Sequence, residues 1–439
     1  MKRWNKLAVL FIAALFSFTG CHQPEASSSL SAQSGSSSEG MTAVSSGLEN
    51  AASGKDVSSP APSQSAPVSS QIVQEATAKL SGTTILDVKN NFSYTFILTA
   101  EKKVYLYGVY QEKLKELADI TKTYQDGEVD LFELNLPEPI VRIEPYAALG
   151  ESGTLYLFLY PNTLYWRDWP ENSPKTLYTV NLGEKIKDFR YSFGDYFVVT
   201  ESGKLYSIGE LTLYGQPYLE NQDLSKRMVP VQAVVPEAVE EVEVTWFTVF
   251  IRGKSGNVYY AYRHTESTDY GMPPCLKGEL PYPYTASLFK KANVTGIQEI
   301  AIGADDSGHD RVYLLKNGGA VFSYDVDQTA LFSYFPPQQL MEPSTKPEPP
   351  DFSGFELPGM DIAAVNGEYF LTTEKQVVKE NDSFIYAENV RDFCPVAGGL
   401  LYNTEDGKTC YYGYDDGNLF TAKSPANQEL DNITYAPVQ

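Results

Sequence analysis

The stretch "GADDSGHDR", residues 303 to 311, gathers Asp305, Asp306, His309 and Asp310. Clustered carboxylates are the chemistry of a calcium site. Their spacing fits no standard calcium loop, so the segment reads as a solvated insertion in a hairpin, with a cation site as the alternative. "YQDGEVD", residues 124 to 130, alternates Asp126, Glu128 and Asp130 and reads as a polar loop. The four cysteines are Cys21, Cys275, Cys394 and Cys410. No two have CxxC spacing, and three histidines, His22, His264 and His309, cannot complete a zinc finger. Cys275, in "YGMPPCLKG", reads as a free thiol in a long loop, because no motif of a Cys-His nucleophile accompanies it. Paired carboxylates for glycoside hydrolysis cannot be singled out among 56 acidic residues without a fold. No catalytic residue and no metal ligand is therefore assigned, no cofactor is called for, and the binding residues stay unknown.

The formal net charge of -22 would repel phosphate backbones, which argues against nucleic acid as a partner. The chain has 31 Tyr, 22 Phe, 32 Gly and 27 Pro, a mixture that favours strands and turns over helices.

The N-terminus carries Lys2, Arg3 and Lys6, then an apolar run from Leu7 to Phe18. That run is too short for a membrane-spanning helix, which needs about 20 residues, and has the form of a secretion signal. "FTGC", residues 18 to 21, follows it. Small residues before a cysteine resemble the lipobox of bacterial lipoproteins, with Phe18 where that family usually has Leu. The resemblance implies a signal peptide over 1–20 and a diacylglycerol group, with acyl chains such as palmitate, on Cys21. Two acyl chains anchor stably where one is marginal. From His22 to Gln71 the chain is Ser-rich and free of aromatics, as in "SSSLSAQSGSSSEG" and "SSPAPSQSAPVSS". Such a segment cannot bury enough apolar surface to order itself. Residues 21–71 are thus expected to be a disordered tether from a lipid anchor on the extracytoplasmic face of a membrane.

The folded part, 72–439, repeats one phrase. "TFILTAEKKVYLYG" (95 to 108) and "YFVVTESGKLYSIG" (196 to 209) are its clearest copies. Others are "FIRGKSGNVYYAY" (250 to 262), "YLLKNGGAVFSY" (313 to 324), "YFLTTEKQVV" (369 to 378), "LYNTEDGKTCYYG" (401 to 413) and a looser "YLFLYPNTLYW" (156 to 166). Each reads as a hairpin whose polar turn often holds a glycine, such as Gly203, Gly256, Gly319 or Gly407, able to adopt positive φ. A short apolar-x-x-apolar strand precedes each: Ile85 and Val88, Ile140 and Ile143, Ile186 and Phe189, Val239 and Val242, Ile297 and Ile300, Val390 and Phe393. In the sixth copy Ile362 is taken as the second apolar residue, with Gly359 in place of the first. The register is constant. Sixteen positions separate Val88 from Val104, Phe189 from Leu205, Val242 from Val258 and Phe393 from Thr409. The sixth copy is read as one shorter, and the second (Ile143 to Leu164) and fifth (Ile300 to Val321) as five longer. A third strand lies upstream, as in "VPVQAVVPEAVEEV", "FELNLPEPIVRI" and "YTVNLGEKIKDF".

Seven units of four strands predict an all-β, seven-bladed β-propeller of four-stranded antiparallel blades, whose faces are buried by stacking in a closed ring. Segment 429–436 reads as the first strand of an eighth copy and 72–80 as a stray last strand, the two closing the ring together. Cys394 and Cys410 fall on the first and third strands of one blade, about 10 Å apart by ordinary strand spacing, too far for a disulfide.

"VPVQAVVPEAVEEVE" with "FIRGKSGNVYYAY", and "IKDFRYSFGDYFVVTESGKLYSIG", resemble the regulator-of-chromosome-condensation repeat family. The likeness covers most of residues 80 to 439, without the family's usual His between the first two strands and with Tyr or Phe for its Trp. It implies a seven-bladed propeller and action by binding other proteins. The expectation is a membrane-anchored lipoprotein, monomeric and not an enzyme, that binds an unknown protein or cell-wall partner. The alternative is a propeller enzyme, a glycan hydrolase or lyase with carboxylates near the central channel. Insertions 263–290 and 325–353, rich in Tyr and Phe, are the expected functional surface.

Overall fold

The computed structural model describes residues 70–91, 94–125, 128–158, 177–192, 195–208, 229–245, 248–262, 289–304, 310–325, 354–355, 361–380, 384–396, 399–413, 419–420 and 426–437. The proposed leader, the tether with Cys21 up to residue 69, the readings of Cys275, Asp126, Asp305, Asp306 and His309, and nearly all of both long insertions lie outside the described residues, while residues 70 and 71 of the expected tether belong to a helix.

Strands pair into seven separate sheets in chain order, each built from consecutive antiparallel strands, with one strand from residues 433–435 added in parallel to the first sheet. Five sheets have four strands, blade 1 has a fifth, and blade 6 has three among the described residues. The first strand of every blade lies innermost: Thr83–Asn91, Ile140–Glu144, Ile186–Ser192, Val239–Val244, Ile297–Ala304, Ile362–Asn366 and Val390–Val396. Each inner strand touches the next, and the seventh touches the first, so the sheets close into the expected propeller.

The buried side chains explain why the sheets stand in a ring. Apolar residues form seven clusters, each lying between two successive blades. Blade 3 illustrates it. Along its second strand, Asp195–Thr200, Tyr196 and Val198 pack against blade 2 while Phe197 and Val199 pack against blade 4. All six residues of that strand are buried. A sheet apolar on both faces cannot stand alone in water, and only two neighbours cover it.

The hairpin turns also join blades. The carbonyls of Lys102, Gly203, Gly256, Gly319 and Lys375 accept hydrogen bonds from the first inner residues of the next blades, Ile140, Val239, Ile297, Ile362 and Val390. All five acceptors sit at positive φ. At Gly203 (φ +80°) an added Cβ would lie 2.6 Å from the Cβ of Ala238 and 2.9 Å from its Cα in blade 4, whereas Gly407 (φ +85°) has open space. Gly203→Ala is therefore expected to cost about 3 kcal/mol, strain plus clash, and Gly407→Ala only about 1 kcal/mol, strain alone. Urea unfolding of the two variants side by side checks the difference.

Three expectations need correction. Residues 70–79 form a helix, Ser70–Lys79, and not a strand. Ile72, Ala76 and Leu80 recur every fourth residue, the period of a helix face, and Ala76 and Leu80 are buried in the cluster between blades 7 and 1. In blade 2 the hairpin is Ala147–Gly150 with Leu155–Phe158, so Leu164 is not its third strand and lies outside the described residues. The phrase "GESGTLYLF" there matches "TESGKLYSI" of blade 3. In blade 6 the inner pair is Ile362 and Val365, not Gly359 and Ile362. Blades 2 and 6 share one variation: their first two strands shorten around two-residue turns, with Tyr146 (φ 60°) and Gly367 (φ 59°) supplying the left-handed residue. The fifth copy is longer as expected, its first two strands running on to Ala304 and starting again at Asp310. Segment 433–435 does add a strand, but parallel to the inner strand of blade 1.

Candidate functional site

Every inner strand carries a bulge between the first residue of its apolar pair and the residue two on, where the pairing register slips by one. A bulge bends the strand and re-aims the side chain after it. The residues just past the bulge are Asp87, Arg142, Asp188, Glu241, Glu299, Ala364 and Asp392; two positions on come Lys89, Glu144, Arg190, Glu243, Ala301, Asn366 and Cys394. Side chains two apart share a strand face. The repeat thus places charge at the channel in blades 1 to 5 and little in blade 6. Arg142, Lys187, Asp188, Arg190, Glu240, Glu241, Arg252, Gln298 and Glu299 line a polar hollow of about 530 Å³ at the mouth of this channel.

Arg190 is the hub of the site. Its Nε donates to Glu243 Oε1 at 2.7 Å and its Nη1 to Asp188 Oδ1 at 2.7 Å, with Glu144 Oε1 3.5 Å away. Arg142 of blade 2 reaches the same Asp188 oxygen at 2.5 Å, Lys187 pairs with Glu240 of blade 4, and Arg252 Nε meets Glu241 Oε2 at 2.8 Å. Lys89 of blade 1 lies 3.8 Å from Glu144. Carboxylates also reach backbone in the next blade. Asp188 accepts from Val242 N–H at 3.2 Å, Glu241 from Ile300 N–H at 3.2 Å and Glu299 from Val365 N–H at 3.3 Å. The network runs from blade 1 to blade 6, and its first physical consequence is to stitch blades together.

Burial dominates the titration of these groups and is offset unequally. Burial raises the Asp188 carboxyl, but Arg190 and Arg142 with the Val242 N–H outweigh it and hold the group below its ordinary range. Burial likewise works against the charge of Arg190, but Asp188, Glu243 and Glu144 keep it firmly protonated. Glu243 is pushed up to about 7 by burial, which Arg190 only partly offsets while Glu241 and Asp188 add to it. Glu299 is also pushed up to about 7 by burial, which the Val365 N–H and the charge of Arg252 only partly relieve, while Glu241 adds repulsion. Among the carboxylates lining the hollow, Glu299 alone has no cation within 4 Å in the described structure. Carboxyls that titrate near neutrality beside arginines can hold or move a proton.

Sequence reasoning missed this network, although the sequence carries its signal. The middle of each apolar-x-x-apolar strand is charged in six of the seven blades, Ala364 being the exception. The structure does not bring the earlier candidates together here. Asp310 begins the second strand of blade 5. Asp130 is no solvated loop residue: Lys79 Nζ and Tyr124 Oη bind it at 2.6 and 2.7 Å. Cys394 and Cys410 stand on the first and third strands of blade 7, both buried and free. Burial pushes the Cys394 thiol up to about 12, the reverse of an activated nucleophile. Among the described residues no group of three or more His, Cys, Asp and Glu could hold a metal ion, and no helix is long and apolar enough to cross a membrane.

No family model matches the chain, and no curated protein matches it. Solved structures that are similar in fold include human WBSCR16 (12% identity, 79% of this chain and 83% of the other, TM-score 0.42). Prp20p of Saccharomyces cerevisiae, the yeast RCC1, matches at 13% identity over 80% of this chain and 76% of its own, TM-score 0.41. Kluyveromyces lactis Hsv2 matches at 10% identity over 80% and 98%, TM-score 0.39. At these values the likenesses lend nothing to a reading of activity or partners.

Proposed function

We propose that this chain is a lipoprotein, anchored through Cys21 on the extracytoplasmic face of a membrane, whose propeller binds a protein or cell-envelope ligand. The observation that carries the binding part is the state of the channel mouth. Every cation lining it is already paired with a carboxylate, four of these pairs linking successive blades, so the charges serve the scaffold. A closed scaffold of this kind presents loops at its faces. The anchor rests on the residues "FTGC" and the apolar run before them. The chain is read as a monomer that requires no cofactor. Two experiments test the proposal. Labelling with a fatty-acid analogue is expected to mark the chain and to fail in Cys21→Ser; equal labelling of both would sink the anchor. Cross-linked pull-down from native envelope is expected to recover one stable partner, and repeated recovery of none would count against the binder.

A second reading is favoured by Glu243 and Glu299, whose carboxyls titrate near neutrality beside Arg190 and Arg252. It makes the hollow the site of a glycan hydrolase or lyase. Screening against polysaccharides decides it: cleavage lost in Glu299→Gln and in Glu243→Gln supports an enzyme, and cleavage unaffected by both removes the hollow from consideration.

A further inference from the structure

Blade 7 departs from the repeat at two buried positions. The third strand of the other six blades begins with an aliphatic residue: Val104, Leu155, Leu205, Val258, Val321 or Val377. Blade 7 has Thr409 there. The residue paired with this position is Leu98, Leu149, Val199, Leu315 or Leu371 in five blades and Arg252 in blade 4, but Asn403 in blade 7. Asn403 is 1% exposed and Thr409 5%. Two polar side chains in a core destabilise unless hydrogen-bonded.

Both are satisfied by the backbone of one residue. Asn403 Nδ2 donates to Tyr435 O at 2.7 Å, and Tyr435 N–H donates to Thr409 Oγ1 at 2.8 Å. Thr409 Oγ1 in turn donates to Asn403 Oδ1 at 3.0 Å. The pair reads one N–H and one C=O of an extended chain, as a neighbouring strand would. On its other side the segment Ile433–Tyr435 runs parallel to Thr83–Ile85, secured by Gly82 N–H to Asn432 O at 2.6 Å and Ala436 N–H to Ile85 O at 2.8 Å. Ile433 and Tyr435 enter the cluster that joins blade 7 to blade 1, alongside Ala76 and Leu80. Up to Leu430, whose N–H bonds the Thr409 carbonyl as Ala233 and Ala292 do in blades 3 and 4, the path obeys the repeat. Beyond it, the place of a next blade is taken by blade 1, whose inner strand already touches that of blade 7.

We propose that Asn403 and Thr409 form a binding socket for an extended peptide, with residues 433–436 of this chain as its resident ligand. The socket converts the start of a redundant repeat into a strap across the last seam of the ring. Its ladder to blade 1 is three residues long, so the bonds to Asn403 and Thr409 are a large share of what holds it, and its exchange can be read apart from that of the blades. Its recognition is of backbone, with Ile433 and Tyr435 giving side-chain selectivity.

The test uses the full chain first. Asn403→Leu with Thr409→Val introduces the aliphatic pair found in five other blades and removes the socket. Hydrogen exchange over residues 430–437 is expected to quicken about tenfold or more, while blades 2 to 5 keep their protection. Unchanged exchange over 430–437 would overturn the proposal. A chain ending at Gln428 is expected to melt about 5 °C or more below the full chain. A synthetic peptide of residues 429–437 should restore the loss saturably, and the same peptide N-methylated at Tyr435 should not. A folded, shortened chain that ignores the peptide, or rescue that survives N-methylation, would equally overturn it. If the shortened chain does not fold, the exchange result decides.

Discussion

Arg190→Met is expected to destabilise the propeller by about 3–5 kcal/mol, the range for removing one member of a buried ionic cluster. The reason is the company the guanidinium keeps. Arg190 is 19% exposed, and the carboxylates around it, Asp188, Glu144 and Glu243, are 7%, 7% and 14% exposed. Methionine fills much of the same space but leaves these carboxylates facing one another in a poorly solvated channel, with Arg142 serving Asp188 and Lys89 serving Glu144 at longer range. Arg190→Lys should recover little, because a point charge cannot bond to Glu243 through one nitrogen and Asp188 through another. Adding Glu243→Gln to Arg190→Met should return part of the loss, since one uncompensated charge goes with it. Denaturant unfolding of the parent, Arg190→Met, Glu243→Gln and the double variant forms the cycle, with Arg190→Lys measured beside it. A loss under 1 kcal/mol for Arg190→Met would mean that the network contributes nothing net to holding blades 2, 3 and 4 together.

The repeat was legible because burial on two faces writes long apolar runs, and hairpin spacing is rigid. Val88 to Val104 and Phe189 to Leu205 keep one register because both hairpins have the same strand lengths. The same regularity misled at blades 2 and 6. There the first two strands are each two residues shorter, four for the pair, so a constant spacing puts the strands at the wrong residues. Tyr146 was the clue in blade 2, sitting after a proline where a left-handed residue ends a two-residue turn. The charged network stayed hidden for a different reason. Asp188, Glu241 and Glu299 look like solvent-facing residues of alternating strands, and a single strand cannot say that its polar side faces six other strands across a channel. The helix at 70–79 was misread because low-complexity sequence precedes it and its polar residues mask the four-residue spacing of Ile72, Ala76 and Leu80. Thr409 was visible as an exception to the aliphatic rule, but its partner is Tyr435, 26 residues on, and only the closed ring brings the two together.

The stability of this acidic protein is expected to fall as pH rises from about 5 to about 8, with Glu299 as a main cause. Its carboxyl titrates at about 7 in the folded chain, raised from 4.5, because burial penalises the charge and the Val365 N–H relieves it only partly. The sign follows from proton binding. Between these two values the folded chain holds a proton that the unfolded chain has released, so folding is favoured by low pH and the advantage is lost as pH climbs through 7. The full effect for one such group is about 3 kcal/mol. Glu299→Gln keeps an acceptor for Val365 N–H without the charge, so it should match the parent near pH 4 and exceed it at pH 8, leaving a flatter profile. Glu243 contributes a slope of the same sign, tied to Arg190 and therefore removable only at the cost of that ion pair. Asp188, held low by its two arginines, acts oppositely but only in more acid solution, where its stabilising charge is lost. Urea midpoints at pH 5, 6, 7 and 8 separate these terms. Parallel profiles for the parent and Glu299→Gln would mean that water reaches this carboxylate freely and that the channel mouth is wetter than its packing implies. A ligand that brings a cation to Glu299 would remove the same slope, so the pH profile also serves as an assay for occupancy of the hollow.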